Sequence, residues 1–228
     1  FISDVSHELR TPLTIIKGTL ETLQDGALDD HAASQNFLVS MSRETDRLIR
    51  LVNELLVLTR ADAGALNLKL QDFDLALLVQ ERCANLDRAA QKQQVRFMIS
   101  APQSADLPES WLVVADRDRI AQVLDNLLDN ALRYSPRGTA VQVRLSQKPG
   151  YVVCQVVDCG PGISSQHLPL IFERFYRVDP ARGRAQGGSG LGLAIVRSLV
   201  VAHGGGVEAD SSEGQGAMLT FWLPAATS

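Results

Sequence analysis

Two hydrophobic periods divide this chain. Val5, Leu9, Leu13, Ile16, Leu20 and Leu23 recur at steps of four and three, and Phe37, Met41, Leu48, Val52, Leu55 and Leu58 repeat the stripe further on. Such spacing predicts two helices that each pack along one face. Asp25-Gly26 breaks the first, Asp29-Asp30 can cap the second, and Gly64 ends it. Two helices cannot enclose a core by themselves, so the stripes predict pairing with a second copy into a dimeric four-helix bundle. Packing of the stripe on the rest of the same chain is the alternative.

After Gly64 the period changes. Leu66, Leu68 and Leu70 alternate with polar residues and predict a strand. Asp74 is placed to cap a helix through about Gln91, Val95–Ile99 and Val113–Ala115 predict strands, and Asp116 is placed to cap a helix ending near Ser135-Pro136. Val141–Leu145 and Val152–Val157 predict a hairpin turning at Pro149-Gly150. A glycine-rich stretch then opens a helix from about Leu191 to His203, and strands near Val207–Asp210 and Met218–Leu223 close the chain. The expected fold is therefore an all-α hairpin over residues 1–64 followed by an α+β two-layer sandwich over 65–228.

Composition narrows the functional classes only slightly. Lys and Arg number 22 against 26 Asp and Glu, a net charge of −4 that gives no reason to expect nucleic-acid binding. Cys83, Cys154 and Cys159 have no metal-ligand spacing, and Cys154, within an apolar run, reads as a buried, reduced thiol. No apolar run reaches the roughly 18 residues of a membrane helix, and no stretch of this sequence reads as a signal peptide. The chain opens inside a helical pattern shortly before His7, which reads as a fragment of something longer.

Four groups of residues carry candidate chemistry. On the helix after Asp116, positions 126, 130 and 133 fall within about 60° of one another beside the buried stripe. Asn126, Asn130 and Arg133 thus offer two neutral oxygens and a cation, suited to a Mg²⁺–polyphosphate; a solvated polar face is the plainer reading. Asp158 ends an apolar strand and precedes Cys159-Gly160-Pro161-Gly162-Ile163, where a carboxylate can accept a hydrogen bond from a ring amine, or simply form a turn. Gly187-Gly188-Ser189-Gly190-Leu191-Gly192-Leu193 runs into a helix and can present backbone amides to an anion, but lacks the Lys-Ser/Thr of a Walker A loop. His7, within Ser6-His7-Glu8-Leu9-Arg10-Thr11-Pro12, lies off the apolar seam, so its imidazole can act as a nucleophile with Glu8 taking the Nδ1 proton. Alone, it is a surface histidine.

Together, in this order and spacing, the four groups resemble the H, N, G1 and G2 boxes of the sensor histidine kinases of two-component systems. Ile171-Phe172-Glu173-Arg174-Phe175-Tyr176-Arg177 resembles the family's F box, and Glu213-Gly214-Gln215-Gly216 its last glycine turn. The resemblance covers nearly the whole chain. It implies a dimerisation and phosphotransfer hairpin joined to an ATP-binding domain of the histidine kinase, gyrase and Hsp90 type.

By that resemblance ATP and Mg²⁺ are the cofactors, with Asn130 the principal metal ligand and Asn126 assisting. Arg133 stands where the family has a lysine and keeps its charge but not its geometry. Tyr134 packs near the nucleotide, Asp158 recognises adenine, Gly160 and Gly162 make room for it, and Ile163 and Thr220 complete that wall. Gly188, Ser189, Gly190, Leu191, Gly192 and Leu193 meet the phosphates. The segment from about Tyr176 to Gly190, with Arg177, Arg182 and Arg184, is the lid, anchored by Phe172 and Phe175. His7 is the phosphoacceptor, Glu8 the base, and Thr11 the residue orienting water for phosphatase action on the partner. That partner is a response regulator receiver domain; a homodimer is expected, with no nucleic acid. The chain is expected to be the cytoplasmic portion of a membrane-anchored parent, reaching the membrane only through N-terminal segments it lacks. Pro12 offers a hinge beside His7. Cys159 departs from the family's asparagine and is expected to point away, and Ala217 replaces a common threonine. Two rivals remain. A hydrolytic ATPase of the same fold needs a glutamate where Asn126 stands, and a degenerate scaffold would not keep Asn130, Asp158 and His7 together.

Overall fold

The computed structural model describes residues 2–27, 30–100, 111–179 and 188–226. The chain forms two compact units, Phe1–Thr59 and Arg60–Ser228.

The first unit is helical. Helix α1 (Ile2–Thr22) runs into a single π-helical turn, Leu23–Ala27, where Asp25-Gly26 was expected to break it. Helix α2 (His31–Asp62) begins as the sequence predicts: Oδ1 of Asp30 accepts the amides of Ala32 and Ala33, each at 3.0 Å. Pro12 sits inside α1 and lacks the amide that would bond the Glu8 carbonyl. In the single chain Leu13, Leu20, Leu38, Ile49, Val52 and Leu56 stay exposed. Among the described residues no helix is long and apolar enough to cross a membrane.

The second unit is the two-layer sandwich. A five-stranded sheet runs in the order β2 (Arg96–Ser100), β4 (Ala140–Lys148), β5 (Tyr151–Val157), β7 (Ala217–Pro224), β6 (Gly206–Ser211). Only the β2–β4 pairing is parallel. The β4–β5 hairpin turns at Gly150, whose φ of 77° suits glycine. A small antiparallel ladder joins β1 (Gln71–Asp74) to β3 (Leu112–Ala115), and Val113 bridges to Ala225 beyond β7.

Alternation along the strands sends Val141, Val143 and Leu145, Val152, Cys154 and Val156, and Leu219, Phe221 and Leu223 to one face, all buried. Helices α3 (Leu75–Gln93), α4 (Arg117–Tyr134) and α5 (Gly192–Ala202) form the second layer. Ile120, Val123, Leu124, Leu127 and Ala131 of α4 are buried as their period predicts. Asp74 and Asp116 both cap their helices through the amides two and three residues on, each worth about 1 kcal/mol. A bidentate ion pair from Arg82 to Asp125, at 2.7 and 2.8 Å, ties α3 to α4.

One predicted strand is absent. Leu66, Leu68 and Leu70 lie in irregular chain, and β1 starts at Gln71. The Lys69 amide donates to Oδ2 of Asp116 at 2.9 Å instead of to a neighbouring strand, so the alternation of leucines has no ladder to join.

Candidate active site

Helix α4 carries Asn126, Asn130 and Arg133, all half-buried beside the apolar stripe, and ends at the more exposed Tyr134. Its C-terminus meets the turn after β5. A Cβ on Gly160 would stand 3.0 Å from the Tyr134 carbonyl oxygen and 2.8 Å from Oδ1 of Asp158, so only glycine lets the three come together.

Asp158 is 9% exposed. Its Oδ1 accepts the amides of Gly160 at 2.7 Å and Ala217 at 3.2 Å, so both of these bonds fall on one carboxylate oxygen. Burial pushes this carboxyl above the ordinary aspartate range, against the opposite pull of those two amides. Gly216, with φ of 78°, packs so tightly that any Cβ there would overlap the Asp158 carbonyl. Ser211 takes the Ile163 amide on its Oγ at 2.8 Å and donates to the Gly216 carbonyl, closing the turn behind the carboxylate. Sequence reasoning placed Gly216 in the last glycine turn but not against Asp158, and gave Ser211 no role, because these contacts join residues far apart in the chain rather than a reactive group. Gly162 also differs from expectation. Its Cβ would collide with Ser212, so the glycine serves loop packing, not only access for a ring.

The N-terminus of α5 forms the third wall. Leu191 is buried and makes no side-chain cap to the first-turn amides, the backbone groups that a helix N-terminus can offer an anion. Ser189 Oγ accepts the Leu191 amide at 3.2 Å, while Gly188 and Leu193 are half-buried nearby in sequence. Gly192 abuts α4: a Cβ there would lie 3.2 Å from Oδ1 of Asn126. Gly192 and the Asn126 amide, distant in sequence, therefore meet.

The F-box segment, preceded by a single 3₁₀ turn at Leu168–Leu170, is a succession of turns and not a helix. Phe172 is buried, and Phe175 adopts a φ of 61°, a left-handed conformation that ends any helical run. Nδ1 of His167 and the Tyr176 hydroxyl are 2.6 Å apart, Arg197 of α5 pairs with Glu173, and Arg174 pairs with Asp62. Arg177 is half-buried just beyond. Arg182 and Arg184 of the expected lid, and Gly187, lie outside the described residues. Thr220 does not join the others: it alternates with the buried Leu219 and Phe221, so it points to the opposite face of the sheet, where Gln155 donates to its hydroxyl at 3.4 Å. Cys159 turns its thiol toward the Ala140 carbonyl at 3.5 Å, away from the Asp158 carboxylate.

In the first unit His7 is exposed on α1, and Thr11 donates to the His7 carbonyl at 3.2 Å. Glu8 accepts from Arg47 of α2 at 3.4 Å. Among the described residues no group of three or more His, Cys, Asp or Glu could hold a metal ion. The neutral oxygens of Asn126 and Asn130 instead suit a hard cation that keeps most of its charge partners on a polyphosphate.

A mixed sheet layered by helices, with an amide-bearing helix, a strand-end carboxylate and a glycine-opened helix N-terminus along one side, defines an ATPase-type nucleotide domain. Residues 115–227 match the histidine kinase-, DNA gyrase B- and HSP90-like ATPase family, and residues 1–64 match the His Kinase A phospho-acceptor domain. The sensor histidine kinase WalK of Bacillus subtilis (strain 168) is 41% identical over 98% of this chain, which spans 36% of that protein's length. The solved structure of full-length ShkA in complex with AMPPNP is 31% identical with a TM-score of 0.73, over 99% of this chain and 46% of that one. Histidine kinase ThkA in complex with response regulator protein TrrA is 26% identical with a TM-score of 0.76, over 99% and 61%. The chain belongs to the sensor histidine kinases.

Proposed function

We propose that the second unit binds ATP with Mg²⁺ and that the γ-phosphoryl is transferred to Nε2 of His7, then to an aspartate of a response regulator receiver domain. The observation that carries this reading is the meeting of Asn126 with Gly192, and of Tyr134 with Asp158 and Gly160, on one side of the sandwich. Asp158 accepts the exocyclic amine of adenine on Oδ2. The α5 amides and Arg133 hold phosphate oxygens, and Asn130 with Asn126 hold the cation, which neutralises charge on the transferring group. The neutral imidazole of His7 attacks phosphorus from Nε2 as the bond to the ADP oxygen breaks, and Glu8 takes the Nδ1 proton after turning from Arg47. Thr11, one turn beyond His7, is placed to orient water for dephosphorylation of the regulator.

The exposed apolar stripe of the first unit, Leu13, Leu20, Leu38, Ile49, Val52 and Leu56, supports assembly as a homodimer through a four-helix bundle. A nucleotide complex of ShkA and a regulator complex of ThkA support the same ligands here.

Incubation with γ-labelled ATP and Mg²⁺ tests the proposal. Acid-labile, alkali-stable label is expected on the protein, absent in His7→Gln and reduced about 10- to 100-fold in Asn130→Asp. Stoichiometric label surviving in His7→Gln would refute His7 as acceptor.

A further inference from the structure

His203 lies at the C-terminal end of α5, buried, and both of its ring nitrogens are engaged. Nδ1 is 2.7 Å from the Leu199 carbonyl, which can only accept, so Nδ1 carries the proton. Nε2 is therefore the acceptor for the Asp116 amide at 3.0 Å. Asp116 in turn caps α4 through the Asp118 and Arg119 amides and holds the Lys69 amide. One buried imidazole thus closes a junction of three segments far apart in sequence.

The geometry gives this junction a consequence at the nucleotide site. Asp116 meets His203 at the start of α4 and the end of α5, while Asn126 meets Gly192 in the middle of α4 and at the start of α5. The two helices run antiparallel and pack side by side, with these two contacts near opposite ends of α5. At about 1.5 Å per residue those points are about 15 Å apart along α4 and about 16 Å along α5. Two rigid rods pinned at two equally spaced points cannot slide. A slip at the His203 end would carry the Gly192 amides away from Asn126 by the same distance.

We infer that His203 is a positioning residue for the nucleotide site, acting through Asp116 to hold the register of α5 on α4 and so the α5 N-terminal amides against Asn126. The inference rests on the reading of that site as the nucleotide site. It assigns the two ring nitrogens different weights. The Nε2 acceptor sets the register, whereas the Nδ1 donor bonds within α5 and does not.

Side-chain amides separate the two. In His203→Gln the Oε1 atom can take the place of Nε2 and accept the Asp116 amide; in His203→Asn the amide can replace only the donor to Leu199. His203→Leu keeps neither. Dissociation constants for a fluorescent ATP analogue with Mg²⁺, and KM and kcat for autophosphorylation, are measured on the full chain beside thermal unfolding. Glutamine is expected to bind within twofold of the parent chain. Asparagine and leucine are expected to weaken nucleotide binding about fivefold, a change in KM more than in kcat. Equal nucleotide affinity for all three variants, whatever their melting temperatures, would overturn the inference and leave His203 a purely structural residue. If leucine fails to fold, the glutamine–asparagine contrast decides alone, and equal affinities overturn it. A parent chain that binds no nucleotide overturns the site reading itself.

Discussion

The amide of Phe175 donates to the carbonyl of Gly190 at 2.9 Å, and both residues hold left-handed backbone, φ 61° and 74°. This bond joins the two ends of the segment expected to form the lid. A Cβ on Gly190 would stand 2.9 Å from both Cα and C of Phe175 and would add the roughly 1–2 kcal/mol that a side chain costs in this conformation. Gly190→Ala is therefore expected to part the two strands of chain and lower autophosphorylation at least tenfold. The urea midpoint should move far less than the activity, because the strain is local. Unchanged phosphorylation would show that the bracket is dispensable.

Gly192→Ala is a different case. No unusual φ constrains Gly192, and alanine favours a helix, so stability should change by no more than about 0.5 kcal/mol. Among the described residues the nearest obstacle is Oδ1 of Asn126, at 3.2 Å from the new methyl. Displacing that amide should cut phosphorylation about tenfold, and the double variant Asn126→Ala/Gly192→Ala should be no worse than Asn126→Ala alone. Additive losses would mean that the two residues act separately.

The pH dependence of nucleotide binding should report Asp158. Burial raises its pKa, so on acidification the free protein takes up this proton earlier than an ordinary aspartate would. Protonation removes the charge that favours the ring amine. Affinity for an adenine nucleotide, full at neutral pH, should decline on the acid side before ordinary carboxylates titrate, and affinity for a guanine nucleotide should not share that limb. Parallel titrations of the two nucleotides check this.

Asp116 behaves oppositely. Burial alone would raise its pKa, but the Lys69 and Arg119 amides, the Arg119 charge and the Asp118 amide together hold it below the usual range. A depressed carboxylate stabilises the fold above its unfolded pKa, and that contribution is lost as pH falls through the folded value. Asp116→Ala should cost about 2–4 kcal/mol at neutral pH and flatten the acid limb of a urea-midpoint series.

Thiol labelling should single out one cysteine. Cys159 is exposed, whereas burial pushes the Cys83 thiol up to about 11 and the Cys154 thiol higher still. Iodoacetamide on the native chain is expected to modify Cys159 alone, and all three after unfolding. Cys159→Ser should bind nucleotide within about twofold of the parent, since the thiol faces the Ala140 carbonyl.

Much of this was legible in the sequence because it is local. Asp74 and Asp116 announce α3 and α4 through amides two and three residues away, and the α4 stripe follows from helical period alone. What failed depended on distant partners. Leu66, Leu68 and Leu70 alternate like a strand, but the Lys69 amide is claimed by a carboxylate 47 residues on. Thr220 could not be placed without knowing which face of β7 the helices cover. The roles of Gly216 and His203 likewise depend on neighbours brought together only by the fold. His7, Asn130 and Asp158 were singled out for another reason: their side-chain chemistry, in this order along the chain, suits a phosphoryl-transfer site, whereas a packing partner shows nothing until the chain is folded.

The hold of Asp116 on the Lys69 backbone also decides where this domain can be trimmed. A truncation begun at Gln71 would retain every strand and helix of the sandwich and look intact by its spectrum. It would nonetheless have lost a peptide group that steadies the capping carboxylate of α4. The functional border lies upstream of the first ladder, in chain that no catalogue of secondary structure would mark for keeping.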